Sequence, residues 1–378
     1  MLHSRRDSCL LKTVLVLSSV SWFACATAAQ SHAVRTETVA EGLEHPWSLA
    51  FLPNGNMLVT ERPGRLRRVD ANGRVSKPFD GVPEVAAVGQ GGLLDVAIAP
   101  DFETSRLIYF SYSEPRDGGN GTAVARARLN EDRLEDLSVV FRQQPAVDSP
   151  AHFGSRLVFS KGSLFVTLGE RGHKHFTIRA QDLETHFGKI VRIGLDGSVP
   201  ADNPFVNVPG ARPEVWSYGH RNVQGAALHP ETGELWITEH GPKGGDELNF
   251  VRAGANYGWP LVTYGIAYNG ERIGVGEERV GIEKPIKHWV PSIGTSGLAF
   301  YSGERFPRWR GNLFVGGLYG VLVRLQLEQQ RVVSEEILLR DLKERIRDVR
   351  EGPDGYLYVL TDSPRGRVIR LTPESPRS

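Results

Sequence analysis

Apolar and polar positions alternate in short runs along almost the whole chain, and the runs fall into one recurring order. An alternating apolar strand is followed by a turn of Pro, Gly or Asp, a second apolar strand, another turn, and a third strand in which Arg alternates with Val or Leu. The units are residues 48–60 leading to 64–69; 94–100 to 107–112 and 123–128; 155–159 to 164–168 and 189–193; 225–230 to 235–238 and 247–251; 296–300 to 312–315 and 321–325; and 346–349 to 356–360 and 367–371. Strand repeats bounded by turns at this spacing predict an all-β chain folded as a six-bladed β-propeller. Each blade buries its faces against its neighbours, and closing the ring leaves only short edges. Residues 34–39 alternate in the same way and are expected to complete the last blade. Two insertions interrupt the spacing, 169–216 and 254–292. Long insertions sit at blade ends, where a site can be built, so function is expected there.

The start of the chain carries a different pattern. Arg5, Arg6 and Lys12 accompany an apolar run from Leu15 to Ala24, followed by the small residues Ala26, Thr27 and Ala28. This predicts a signal peptide over 1–28, a single propeller domain over 29–378, and export to the periplasm. The alternative is a lipid-anchored form with Cys25 as its first mature residue, for which Trp22-Phe23-Ala24 is a poor lead-in. The run is short for a bilayer span and no later segment is longer, so no transmembrane segment is expected. Cys9 and Cys25 both fall in the leader, which leaves the mature domain without a disulfide or a thiolate nucleophile. The 378-residue chain has a formal charge of +1; loss of the leader, itself +2, leaves −1. That balance implies neither a nucleic-acid partner nor an acidic membrane surface.

Candidate chemistry concentrates at the entrances of the units. His152 stands just before the third unit, where a neutral imidazole could take a hydroxyl proton near neutral pH; a lone histidine is also common as a structural residue. Arg221 and Asn222, in Gly-His-Arg-Asn ahead of the fourth unit, offer a planar fork and an amide, or else form a solvated turn. Arg345 and Arg347 alternate onto one face at the sixth unit and could clamp an anion with several carboxylates. The loop at 238–249 combines Gly241, Pro242 and Glu247, oxygen donors suited to a hard cation such as calcium, but it lacks the spacing of an EF-hand. The remaining histidines show no zinc spacing, and there is no phosphate-cradling loop, dinucleotide fingerprint or Gly-x-Ser-x-Gly elbow.

Taken in order, residues 89–95 (Gly-Gln-Gly-Gly-Leu-Leu-Asp), 152–157 (His-Phe-Gly-Ser-Arg-Leu), 219–222 (Gly-His-Arg-Asn), 239–247 (Glu-His-Gly-Pro-Lys-Gly-Gly-Asp-Glu), 256–260 (Asn-Tyr-Gly-Trp-Pro) and 345–348 (Arg-Ile-Arg-Asp) resemble the soluble aldose sugar dehydrogenases that depend on pyrroloquinoline quinone (PQQ). The resemblance covers nearly all of the mature chain. It implies PQQ and calcium on the central face, oxidation of an aldose at its anomeric carbon to a lactone, and His152 as the base. It further implies that Gln90, Arg221, Asn222, Tyr268, Leu318, Tyr319, Arg345 and Arg347 contact the cofactor. The Gly241 and Pro242 carbonyls would hold its calcium, and Glu247 with the Tyr257 carbonyl a further calcium. The partners implied are a small sugar and a small diffusible electron acceptor, with the protein a monomer or homodimer.

One departure stands out. Where close relatives carry a lysine, residues 316–319 read Gly-Gly-Leu-Tyr, so a cation near the acidic cofactor is replaced by the Tyr319 phenol. Two other classes remain open: a calcium-dependent lactone hydrolase on the same fold, and a binding propeller without catalysis.

Overall fold

The computed structural model describes residues 34–374. Strand β1 (Val34–Leu43) precedes six blades. Blade one is β2 (Pro46–Phe51), β3 (Met57–Glu61) and β4 (Arg65–Val69); blade two is β5 (Leu93–Ile98), β6 (Leu107–Arg116), β7 (Gly119–Leu129) and β8 (Leu134–Arg142). Blade three is β9 (Leu157–Ser160), β10 (Ser163–Thr167), β11 (Lys189–Gly194) and β12 (Val215–Tyr218); blade four is β13 (Val223–Leu228), β14 (Leu235–Glu239), β15 (Asp246–Phe250) and β16 (Lys287–Trp289). Blade five is β17 (Thr295–Phe300), β18 (Leu313–Gly317), β19 (Val321–Glu328) and β20 (Arg331–Leu338), and blade six is β21 (Ile346–Glu351), β22 (Leu357–Thr361) and β23 (Gly366–Pro373).

All six expected units are therefore blades. Their first strands form the inner ring: β2 packs on β5, β5 on β9, β9 on β13, β13 on β17, β17 on β21, and β21 back on β2. The ring is closed as the alternation at 34–39 predicted. β1 pairs antiparallel with β23, Val34 opposite Pro373 and Leu43 opposite Gly366, so both ends of the described chain share one sheet.

The second strands β3, β14, β18 and β22 are buried along their whole length, because a blade has a neighbour on each face. Trp236, fully buried in β14, packs edge-on against Phe300 of the next blade with ring centroids 5.7 Å apart. Burying such a side chain contributes about 3 kcal/mol.

The axis is filled by charge. Arg156, ahead of β9, reaches Asp95 on β5 at 3.2 Å and Asp348 on β21 at 3.0 Å, while Arg350 reaches the same two carboxylates at 3.1 and 2.9 Å. Arg156 also donates to the carbonyls of Gln224 (2.7 Å) and Arg347 (3.3 Å), and its guanidinium lies 4.2 Å from the Trp47 ring centre. Two cations and two anions thus tie blades two, three and six together, and the Gln224 carbonyl adds blade four. Among the described residues, no helix is long and apolar enough to cross a membrane. The expected leader, with Cys9 and Cys25, lies outside the described residues.

Candidate active site

A cavity of about 560 Å³ opens beside the axial charge network. Every blade contributes to it, through residues at the start of an inner strand or in the loop after a second strand: His45, Trp47 and Arg62 from blade one; Gly89, Gln90 and Leu94 from blade two; Phe153 and Gly154 from blade three; Gln224 and His240 from blade four; Leu318 from blade five; and Arg345, Arg347 and Asp362 from blade six. None of these cavity-lining residues lies in the two long insertions, 169–216 and 254–292, but both insertions reach the site: Glu170 of the first contacts His152, and Tyr257 of the second lines the small pocket at the 238–249 loop. Both insertions leave from within a blade, the first after β10 in blade three and the second between β15 and β16 in blade four.

His152 is buried beside the cavity, in a left-handed backbone conformation with φ of 51° that costs a non-glycine residue about 1 kcal/mol or more. The surroundings hold it there. Its amide donates to Gln90 Oε1 at 2.9 Å, and the buried Arg171 donates to the Ala151 carbonyl at 2.8 Å. Gly154 follows with φ of +66°, and a Cβ there would lie 2.6 Å from the Leu168 backbone, so only glycine lets the segment pass β10 this closely. His152 Nδ1 lies 2.9 Å from Glu170 Oε1, and Glu170 Oε2 accepts from the Gly172 amide at 2.7 Å. With the proton on Nδ1, Nε2 is the ring nitrogen left to accept one. Burial, reinforced by the Arg221 charge and opposed by Glu170, lowers the His152 pKa and keeps the ring neutral.

Arg345 and Arg347 do come together, on Asp362. Arg347 donates to Asp362 Oδ2 at 2.7 Å and Arg345 lies 3.4 Å from the same oxygen, while His45 Nδ1 is 2.9 Å from Oδ1. Burial alone would raise the Asp362 carboxyl, but Arg347, His45 and Arg345 outweigh it and hold the group well below the usual carboxylate range. Arg347 also donates to Gln224 Oε1 at 3.2 Å. Asn222 Oδ1 accepts from the Gly154 amide at 3.1 Å and from Gln224 at 3.3 Å. Tyr268 and Tyr319 are exposed, at 76% and 70%, and do not line the cavity; Leu318 does.

The 238–249 loop forms a separate, small pocket with Arg221, Glu239, Gly241, Glu247 and Tyr257 around it. The Gly241 carbonyl accepts from Arg221 at 2.7 Å, leaving it one further lone pair. Glu239 is buried and accepts from His220 at 2.9 Å and from the Arg221 amide at 2.7 Å. Loss of solvation and the neighbouring Glu239 push the Glu247 carboxyl up to about 8. The Tyr257 hydroxyl is committed to the Phe250 carbonyl at 2.7 Å, so only its carbonyl is left as a ligand.

The sequence profile of the Glucose / Sorbosone dehydrogenase family matches residues 43–370. The chain belongs to this family. It is 47% identical to the aldose sugar dehydrogenase YliI of Escherichia coli (strain K12), over 98% of this chain and all of that protein. The crystal structure of the soluble aldose sugar dehydrogenase from Escherichia coli in the apo-form superposes with a TM-score of 0.88 at 48% identity, covering 90% of this chain and 100% of that one. The PQQ-bound aldose sugar dehydrogenase from Streptomyces coelicolor superposes with a TM-score of 0.74 at 28% identity, covering 90% of this chain and 99% of that one.

For this family member, Glu170, Asp362, Gln224 and His45 are site residues that sequence reasoning missed. Glu170 lies three residues past the end of β10 and meets His152 because β9 and β10 pair within blade three, which brings the segment before one strand beside the segment after the other. A carboxylate three residues past a strand that follows a candidate base was the one available signal.

Proposed function

We propose that the protein oxidises aldose sugars at the anomeric carbon to lactones, with PQQ as electron acceptor and His152 as general base. The observation that carries this is the buried His152–Glu170 pair beside a cavity rich in donors without acceptors. Arg347 Nε, Arg62 Nε and Asn222 Nδ2 are buried and have no protein partner, which suits a ligand with several acceptor oxygens. The residues present thus fit PQQ, to be held by Gln90, Asn222, Leu318, Arg345 and Arg347, with Arg221 near its calcium. When bound, PQQ supplies the two-electron acceptor for the anomeric hydride. Glu170 fixes the His152 tautomer, and Nε2 takes the anomeric hydroxyl proton as the lactone carbonyl forms. Arg347, anchored on Asp362, brings fixed positive charge to the cavity at no reorganisation cost.

The Gly241 and Pro242 carbonyls suit one calcium ion, and Glu247, flanked by Glu239, with the Tyr257 carbonyl a further one; carboxylate and carbonyl oxygens are the donors a hard cation takes. Tyr268 and Tyr319, both exposed, fit the outer rim better than direct cofactor contact. We assign the protein to the periplasm, with residues 1–28 as its leader and 29–378 as one domain, handing electrons to a small diffusible acceptor. Phenazine-dye reduction by unloaded protein with several aldoses, with and without PQQ and calcium, tests the proposal. Activity that needs PQQ and disappears in His152→Ala is expected. Lactone hydrolysis without PQQ, or no PQQ uptake at all, would sink it in favour of the hydrolase or the binding propeller.

A further inference from the structure

Arg62 follows β3 and is not among the residues assigned above to hold the cofactor. It lines the main cavity. Arg65 and Arg67, on the same stretch, are neutralised by Glu61 and Glu44, but Arg62 has no carboxylate partner among the described residues. Its Nη1 donates to the Gly89 carbonyl at 2.6 Å, next to Gln90, and its buried Nε has no protein acceptor. The backbone is pinned on both sides: the Arg62 amide donates to the His45 carbonyl at 3.1 Å, and its own carbonyl accepts from the Leu93 amide at 3.0 Å. Gly92 packs so tightly here that a Cβ would lie 2.0 Å from that carbonyl.

The cavity lining carries three guanidiniums, Arg62, Arg345 and Arg347, and one carboxylate, Asp362. Arg345 and Arg347 share that carboxylate, which leaves one positive charge uncompensated on their cluster and a second on Arg62. Excess cation fixed at a cavity wall is a standing cost that an anionic ligand removes. We propose that Arg62 is a third arginine anchor for the cofactor, binding one of its carboxylates through Nε while Nη1 stays on Gly89. This rests on the PQQ assignment above. It adds blade one to the cofactor's contacts and makes loading electrostatic on two sides of the cavity.

The test is a titration of unloaded protein with PQQ, read as quenching of tryptophan fluorescence, since Trp47 lines the same cavity. Arg62→Gln is expected to raise the dissociation constant about ten-fold at low salt, as for loss of one charge-assisted hydrogen bond. Its affinity should also fall less steeply with added salt, and Arg62→Lys, which keeps the charge, should lie between it and wild type. Equal dissociation constants for wild type and Arg62→Gln would overturn the assignment. So would a weakened Arg62→Gln whose salt dependence matches wild type, because that is what loss of the Gly89 contact alone would give. Wild-type protein that takes up no PQQ would instead refute the cofactor assignment itself, and this proposal with it.

Discussion

Replacing Glu170 by glutamine tests whether the His152 pair is catalytic machinery or packing. The carboxylate accepts twice, from His152 Nδ1 at 2.9 Å and from the Gly172 amide at 2.7 Å. A carboxamide has one acceptor oxygen and cannot do both. If that oxygen turns to Gly172, the amide nitrogen faces His152 and forces the proton onto Nε2, which disables the base. If it turns to His152, the Gly172 amide is left without its acceptor, at a cost of about 1–3 kcal/mol. In either case the protonated imidazole loses its counter-charge. The expected loss in kcat is about 10²- to 10⁴-fold, the range for a misdirected or unsupported histidine base. The pH profile gives an independent readout. A base must be deprotonated, so activity falls as pH drops through the His152 pKa, which burial and Arg221 already hold below the usual histidine value of about 6.5. Glu170 opposes that shift, so its removal should move the acid limb of kcat/KM lower still. Dye-reduction kinetics on PQQ-loaded Glu170→Gln, from about pH 4.5 to 8, reads both effects. A kcat within a factor of about three of wild type, together with an unmoved acid limb, would refute the assignment of Glu170 as the residue that orients the base.

Three further outcomes are expected. Arg156→Met leaves Asp95 and Asp348 with Arg350 as their only guanidinium and should cost about 3–5 kcal/mol of stability, read by urea unfolding; a loss under about 1 kcal/mol would mean the axial network is not what binds the blades together. Tyr319→Lys should tighten PQQ binding, but only about two- to five-fold, because residue 319 is 70% exposed and its charge is screened; an unchanged or weaker dissociation constant counts against any electrostatic role there. Chelation of calcium should lower the melting temperature of wild-type protein, and readdition at about 100 times the dissociation constant should restore about 2.7 kcal/mol. Glu247→Gln should remove most of that response, and an identical response in the variant would place the ion elsewhere.

The blades were legible in the sequence because their inner strands carry continuous or alternating apolar runs fixed by burial on both faces. The fourth strands were not. β8 and β20 are the outermost strands of their blades, and exposed positions such as Ser334 and Glu335 break the apolar pattern that marks the others. β16 is three residues long at the end of the 254–292 insertion, too short for any periodicity to register. β1 was recognised because its alternation is isolated at the start of the domain, with no neighbouring strand to confuse it.

The site divides along a similar line. His152, Gln90, Asn222, Arg345 and Arg347 were visible because each sits in a compact local motif, and Gln90 proves to be tied to His152 directly. Glu170 and Asp362 are single carboxylates whose meaning comes only from partners 18 and 15 residues away, and in the case of His45 and Asp362 from 317 residues away across the closure of the ring. A motif records which residues one loop must carry. It does not record which loop the next blade will bring against it. The candidate site is assembled from that second kind of information: His152 meets Glu170 after the second strand of the same blade, Arg347 meets Asp362 after the second strand of its own, and His45 reaches Asp362 across the closure of the ring. The charge pairs are therefore hard to foresee from the repeats, because strand pairing within a blade and, for His45, closure of the ring select the partners rather than the local sequence.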